Sequence, residues 1–320
     1  MDLLEIKSLS THFFTRSGVV KAVDNLSFRL QKSRILGLVG ESGCGKTVTA
    51  LSILNLVPYP GKIVSGRILF EGRDLLSLST DEMRKIRGAK ISMIFQEPMT
   101  ALNPVFTIGN QIAEVLTTHL DVTKAQAFNT SVELLRSVGI PSPEKRVREY
   151  PHQLSGGMRQ RVMIAMAIAC KPSLVLADEP TTALDVTIQA HILELLSQIQ
   201  KEMDMAMVLV THDLGLIAER AHEVAVMYAG LIVEQADTTE LFSNPQHPYT
   251  RGLMASIPKP GEERKSRLRT ISGSVPKLYD LPAGCRFAPR CEIKTELCKT
   301  EPQLIEIKHG HLVRCWEAKQ

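Results

Sequence analysis

Ile35-Leu36-Gly37-Leu38-Val39-Gly40-Glu41-Ser42-Gly43-Cys44-Gly45-Lys46-Thr47 is the stretch that decides the fold of this chain. Its first five residues form an unbroken apolar run, which suits a parallel strand buried on both faces. The next eight follow G-x-x-x-x-G-K-T. Gly40, Gly43 and Gly45 let the backbone turn so that successive N–H groups, through Ser42 and Cys44, face phosphate oxygens. The helix that follows adds its positive N-terminal end. Lys46 supplies a charge for the β- and γ-phosphates, and Thr47 a hydroxyl for Mg²⁺. A buried strand, a glycine loop and a helix in this order predict an α/β protein with a nucleotide phosphate at the loop.

Other buried-strand runs fit that core: Ile91 to Phe95, Leu174 to Ala177, Met207 to Val210 and Val224 to Met227. They alternate with helical patterns, as in a sheet covered on both faces. Asp178 emerges at a strand end, where its carboxylate can hold Mg²⁺ through water, and Glu179 beside it can orient an attacking water. Leu4 to Leu9 and Val23 to Leu30 read as strands around a turn at Arg16-Ser17-Gly18, an antiparallel β subdomain. Lys46 to Val57 reads as a helix stopped by Pro58. Leu154-Ser155-Gly156-Gly157-Met158 opens another helix, running to about Cys170, whose hydroxyl and N–H groups form a second anion-binding end.

Two anion-binding helix ends flanking an acidic strand end, followed by Pro180-Thr181-Thr182-Ala183-Leu184-Asp185, resemble the ATP-binding subunits of ABC transporters, over nearly the whole chain. The resemblance implies a P-loop NTPase core of the RecA-like kind, with ATP and Mg²⁺ as ligands. Gln96 then matches the Q-loop residue that touches Mg²⁺ and faces the permease, His212 the switch histidine at the γ-phosphate, and Asp185 the D-loop acid. Phe13, with Phe14 as its rival, matches the ring that stacks on adenine. Ser155, Gly156 and Gly157 match the signature that caps the nucleotide of a partner in a head-to-tail dimer. The family's fifth signature residue is Gln, and here it is Met158, which offers no amide. Either the partner's site is altered or Arg159 and Gln160 compensate. The same change in peptide-importer ATPases points to a non-identical second ATPase.

Between Glu97 and Pro151 the periodicity turns helical, with Ile112, Val115, Leu116 and His119 on one face and Val132, Leu135 and Val138 on another. This predicts an α-helical subdomain inserted at about 97–158 in an ATPase domain spanning 1–236. From 237 to 320 the chain is Pro-rich and reads as a small appended module. Phe95-Gln96-Glu97-Pro98-Met99-Thr100-Ala101-Leu102-Asn103-Pro104 and Asn244-Pro245-Gln246-His247-Pro248-Tyr249-Thr250 resemble segments of the oligopeptide, dipeptide and nickel importer group, and the long tail favours peptides over nickel. The resemblance implies an ATP-hydrolysing subunit that drives peptide import. Its implied partners are a second ATPase, two transmembrane permeases and an extracytoplasmic peptide-binding protein. The alternatives are a nickel importer of the same group or a non-transport ABC ATPase.

Of six cysteines, Cys285, Cys291, Cys298 and Cys315 lie in this module. In a reducing compartment disulfides are disfavoured, and four thiolates suit a [4Fe–4S] cluster, tetrahedral Zn²⁺ or, ligating nothing, free thiols. The resemblance ranks them in that order. Cys44, inside the glycine loop, and Cys170, ending an apolar helix, stand apart.

A hydrophobic content of 44% and a charged content of 22% are ordinary for a globular chain of 320 residues. A net charge of +4 gives no argument for nucleic acid, and the basic stretch Arg264 to Arg269, next to Glu262 and Glu263, reads as a solvated linker. No apolar run reaches the roughly 20 residues of a membrane span, and Met1 to Glu5 lacks a secretion signal's pattern. The expected place is the cytoplasmic face of the inner membrane, held there peripherally by partners.

Overall fold

The computed structural model describes residues 2–182, 184–256 and 271–318. The basic stretch Arg264 to Arg269 and Ala183 lie outside them. The elements in chain order begin with β1 (Asp2–Thr15), β2 (Gly18–Gln31), β3 (Ile35–Val39), α1 (Lys46–Ile53), β4 (Gly61–Phe70) and β5 (Arg73–Asp74). Then come α2 (Thr80–Ile86), β6 (Ile91–Ile94), α3 (Pro98–Ala101), α4 (Ile108–His119), α5 (Lys124–Ser137), α6 (Pro143–Arg146) and α7 (Gly156–Ile168). After these follow β7 (Leu174–Asp178), α8 (Val186–Glu202), β8 (Ala206–Thr211), α9 (Leu214–Arg220), β9 (Glu223–Tyr228) and β10 (Leu231–Asp237). The C-terminal part adds α10 (Thr238–Ser243), α11 (Pro248–Ala255), β11 (Ile305–Lys308) and β12 (His311–Val313).

The chain divides into two compact units: one of residues 1–31, 35–76 and 210–320, the other of residues 32–34 and 77–209. In the first, every residue of β3 is buried, and it runs parallel to β9 from Leu36 opposite Glu223 to Val39 opposite Val226. An apolar run with no alternation has only buried faces to offer, so the reading of 35–39 as a strand holds for the reason given. β10 returns antiparallel along β9, and β12 pairs with β10 through Glu234–Val313 and Gln235–Leu312. A second, antiparallel sheet has the order β2-β1-β4-β5. β1 and β2 are longer than their apolar cores suggest, at 14 residues each. Register shifts on both sides of β1, with Ser8 and Asn25 at positive φ, let the hairpin bend past its polar stretches.

In the second unit β6 runs parallel to β7, Ile91 opposite Leu174 and Ile94 opposite Ala177. α4 and α5 start at Thr107 and Thr123, whose hydroxyls accept the N–H groups of Asn110 and Gln126. Ile112 and Leu116 of α4 and Val132 and Leu135 of α5 are buried, as the helical pattern requires, while Val115 and His119 are only half-buried. Among the described residues no helix is long and apolar enough to cross a membrane.

Candidate functional site

In the first unit the phosphate loop joins β3 to α1. Gly45, at φ 111°, caps α1 and has no side chain to accept its first N–H groups. A Cβ at Gly45 would stand 2.1 Å from the Ala22 carbonyl oxygen, so position 45 tolerates no side chain. Lys46 is buried, and its Nζ donates to the carbonyls of Gly40 (2.8 Å) and Glu41 (3.3 Å). α1 ends at Ile53, earlier than the sequence reading, because Asn55 takes a left-handed conformation (φ 50°) before Pro58 is reached. Cys44 is buried in the loop, and burial pushes its thiol pKa up. His212 follows β8 and is exposed, ahead of Asp213, which caps α9 by accepting the Leu216 N–H.

Phe13 and Phe14 lie at the end of β1. Phe13 is half-buried beside Gly61, where a Cβ would come within 2.7 Å of its ring. Phe14 is 48% exposed.

In the second unit every residue of β7 is buried, and Asp178 at its end is only 2% exposed. The next residue, Glu179, has φ 44°, a left-handed conformation unfavourable for a side chain of its size. Its Oε2 accepts from Gln96 Nε2 at 3.0 Å and from Thr182 Oγ1 at 2.9 Å. Gln96, Asp178 and Glu179, predicted from separate segments, therefore come together within this unit. Thr182 is a partner that sequence reading passed over, since a threonine in a turn is unremarkable until its hydroxyl is seen on the acid. Gln189 of α8 holds the turn by donating to the carbonyls of Thr181 (3.1 Å) and Leu184 (3.1 Å). Asp185 caps α8 without a side-chain bond to it and is exposed.

Ser155 caps α7, accepting the Met158 N–H at 3.3 Å. Ser155 and Gly156 are exposed, and Gly157 is buried where a Cβ would come 2.9 Å from the Ile188 side chain of α8. Gln160 is 1% exposed and turned inward, and Arg159 Nε is held on the Pro151 carbonyl at 2.7 Å. Nearby, Gln111 bonds the backbone of Asn103 and Phe106. The same region presents Phe95, Met99, Val105 and Phe106 as exposed apolar side chains.

The C-terminal segment of the first unit carries Cys285, Cys291, Cys298 and Cys315. Burial pushes the Cys285 thiol up to about 11, against the N–H groups of Phe287 and Ala288, with Cys298 and Cys315 near enough to raise it further. Burial also raises Cys291, whose sulfur faces the Ile293 N–H, and Cys315, whose sulfur faces that of Glu317. The Cys285 N–H donates to the Cys298 carbonyl at 2.9 Å. Four cysteines are the donor type that thiolate-held metal groups use. Among the described residues, however, no group of three or more His, Cys, Asp or Glu side chains is placed to hold a metal ion. Cys170 lies apart, its Sγ 3.9 Å from the Val115 carbonyl. Between Cys285 and Cys291, Arg286 donates to the Ala229 carbonyl at 2.6 Å and pairs with Asp24.

A phosphate loop, an acidic strand end with its glutamine, and a serine-capped second helix end define an ATP-binding cassette. Residues 23–182 match the ABC transporter family and residues 233–298 the C-terminal region of oligopeptide/dipeptide transporters. The chain belongs to the ABC transporter ATP-binding family. It is 52% identical to the dipeptide transport ATP-binding protein DppD of Haemophilus influenzae over 96% of this chain and 93% of that one. It is 51% identical to the oligopeptide transport ATP-binding protein AppD of Bacillus subtilis over 98% of this chain and 96% of the other. Among solved structures it is similar to the dimeric post-hydrolysis state of the ATP-binding cassette MJ0796 bound to ADP and Pi. The TM-score there is 0.66, with 25% identity, and the match covers 73% of this chain and 98% of that one. The expectation of a P-loop ABC cassette with ATPase activity is met.

Proposed function

We propose that this chain hydrolyses ATP to energise the import of di- and oligopeptides through a membrane permease. The observation that carries the reading is the presence, in one chain, of a phosphate loop at Gly40–Thr47 and a second anion-binding helix end at Ser155, joined to a C-terminal region of peptide-transporter type. The phosphate loop needs a signature from outside its own chain, and Ser155, Gly156 and Gly157 serve the nucleotide of a second ATPase. Met158, which offers no amide, favours a non-identical partner.

In this reading the loop from Gly40 through Ser42, Gly43, Cys44 and Gly45 cradles the phosphates with Lys46. Thr47, Asp178 and Gln96 hold Mg²⁺, Glu179 orients the attacking water, and His212 contacts the γ-phosphate. Asp185 lines the dimer seam. Phe13, half-buried at the end of β1, stacks on adenine, with Phe14 as its rival. The exposed apolar group Phe95, Met99, Val105 and Phe106 suits a permease surface. Two transmembrane permeases and an extracytoplasmic peptide-binding protein complete the assembly, with this chain held on the cytoplasmic face of the inner membrane.

Cys285, Cys291, Cys298 and Cys315 are the residues that would hold a [4Fe–4S] cluster, with Zn²⁺ as the alternative; four cysteine donors within one C-terminal segment support this. Bound there, the group would cross-link the loops of the module. The reading is tested by measuring MgATP turnover of the purified chain alone and with a second ATPase and the permeases. Turnover should be low alone and rise in the assembly. Full, concentration-independent turnover by a demonstrated monomer would refute the cross-dimer role of Ser155.

A further inference from the structure

The phosphate loop contains an acid. Glu41 stands between Gly40 and Ser42, and a carboxylate there repels the anion that such a loop is shaped to hold. Within the first unit it is fixed at every polar group. Its carboxylate is gripped by Arg290 in a two-bond fork, Nη1 to Oε2 at 2.6 Å and Nη2 to Oε1 at 3.0 Å. Its N–H donates to the Tyr249 hydroxyl at 2.9 Å, and its carbonyl accepts from Lys46 Nζ at 3.3 Å. The side chain of Arg290 is 3% exposed, its guanidinium lies 5.8 Å from the centre of the Tyr228 ring, and Nε donates to the Ser272 carbonyl at 3.0 Å. Desolvating an arginine this fully is costly unless its partner is held in place.

Tyr249 is positioned just as deliberately. It is fully buried at the start of α11, where His247 Nδ1 accepts its N–H at 3.1 Å. The buried Glu234 carboxylate accepts the N–H groups of Gln246 at 2.6 Å and His247 at 2.9 Å, and pairs with His311 of β12 at 2.8 Å. A line of bonds thus runs from β12 to the second residue of the phosphate loop.

We propose that Arg290 and Tyr249 are positioning residues of the nucleotide site. Arg290 cancels the charge of Glu41 and turns its carboxylate away, and Tyr249 fixes the backbone at Glu41, so the C-terminal extension completes the phosphate loop of its own chain. The proposal rests on reading Gly40–Thr47 as the ATP loop. Removing Arg290 exposes the triphosphate to one uncompensated negative charge. At about 10 Å and an effective dielectric constant of about 20, that repulsion corresponds to a roughly ten- to twentyfold loss of affinity.

The test is calorimetric titration of the full chain with MgATP, with thermal unfolding recorded for each variant. Arg290→Met should weaken binding by that factor, and Glu41→Gln combined with Arg290→Met should restore it to near the wild-type value, because the repelling charge has gone. Glu41→Gln alone, which keeps Arg290 and does not depend on the folding of the first variant, should bind MgATP more tightly than wild type. Wild-type affinity in Arg290→Met, failure of the double variant to recover, or weaker binding by Glu41→Gln would each overturn the clamp. A wild-type chain that binds no MgATP would overturn the loop reading itself, and the clamp with it.

Discussion

Replacing Glu179 by glutamine removes one charge from the acid pair and leaves the volume unchanged. In the structure a single oxygen of Glu179, Oε2, accepts from both Gln96 (3.0 Å) and Thr182 (2.9 Å). A glutamine that keeps those two bonds must place its own oxygen there, which turns its NH₂ group to where the second carboxylate oxygen stands. An NH₂ group donates where a water-orienting group must accept, so the base is lost while Asp178 and the phosphate loop remain. The loss of a positioned base lowers rates by about 10²–10⁴-fold, or roughly 3–5 kcal/mol of barrier. Phosphate release at saturating MgATP should fall by this factor in the assembled ATPase, with the partner's own site disabled so that it cannot mask the loss. MgATP affinity should stay within about twofold, because Glu179 acts on the water. Near-normal turnover under these conditions would refute the role given to Glu179.

Arg286→Met should destabilise the first unit by about 3 kcal/mol, the lower end for breaking a buried pair, since it takes the donor from the Ala229 carbonyl and leaves Asp24 to Lys21 and His12. Asp24 is held below the usual carboxylate range, the Arg286 guanidinium and Lys21 outweighing burial. Urea unfolding followed through Trp316, the chain's one tryptophan, reads this, and an unchanged midpoint would contradict it. His247 is buried and its pKa is pushed down to about 3 by burial, with Arg251 and Arg314 adding to the effect. The unfolded chain therefore binds the proton first. Stability is complete above about pH 6.5 and drains away as the pH falls, by about 2 kcal/mol at pH 5. His247→Asn should flatten the slope of urea stability between pH 7 and pH 5, and a slope equal to wild type would remove His247 from the account. Anaerobically purified protein should be brown and contain iron. Serine at Cys285, Cys291, Cys298 or Cys315 should remove the colour, and serine at Cys170 should not. About one zinc per chain without iron would select the zinc site, and metal-free folded protein would exclude both.

The core was legible because burial writes itself into runs such as 35–39 and 174–177, where no polar residue interrupts a strand covered on both faces. The phosphate loop was legible because its backbone geometry admits few residues. Other features carried weaker signals. The outer parts of β1 and β2 are polar, and pairing with neighbouring strands, rather than hydrophobicity, extends them to 14 residues. The tail reads as loops, yet β12 adds to β10 through a three-residue strand too short to show a period. Arg290 lies far from Glu41 in sequence, and only the fold joins them. The clue available beforehand was the misplaced acid in an anion-binding loop, which requires a counter-charge.

Uptake of labelled di- and tripeptides by cells lacking this chain, complemented with wild type or with Glu179→Gln, tests the central claim most directly. Wild type should restore uptake, and Glu179→Gln, present at the same level in the membrane fraction, should leave it at the level of the deletion. Full peptide uptake in the deletion strain, or restoration by Glu179→Gln, would contradict the assignment of this chain as the ATPase that drives peptide import.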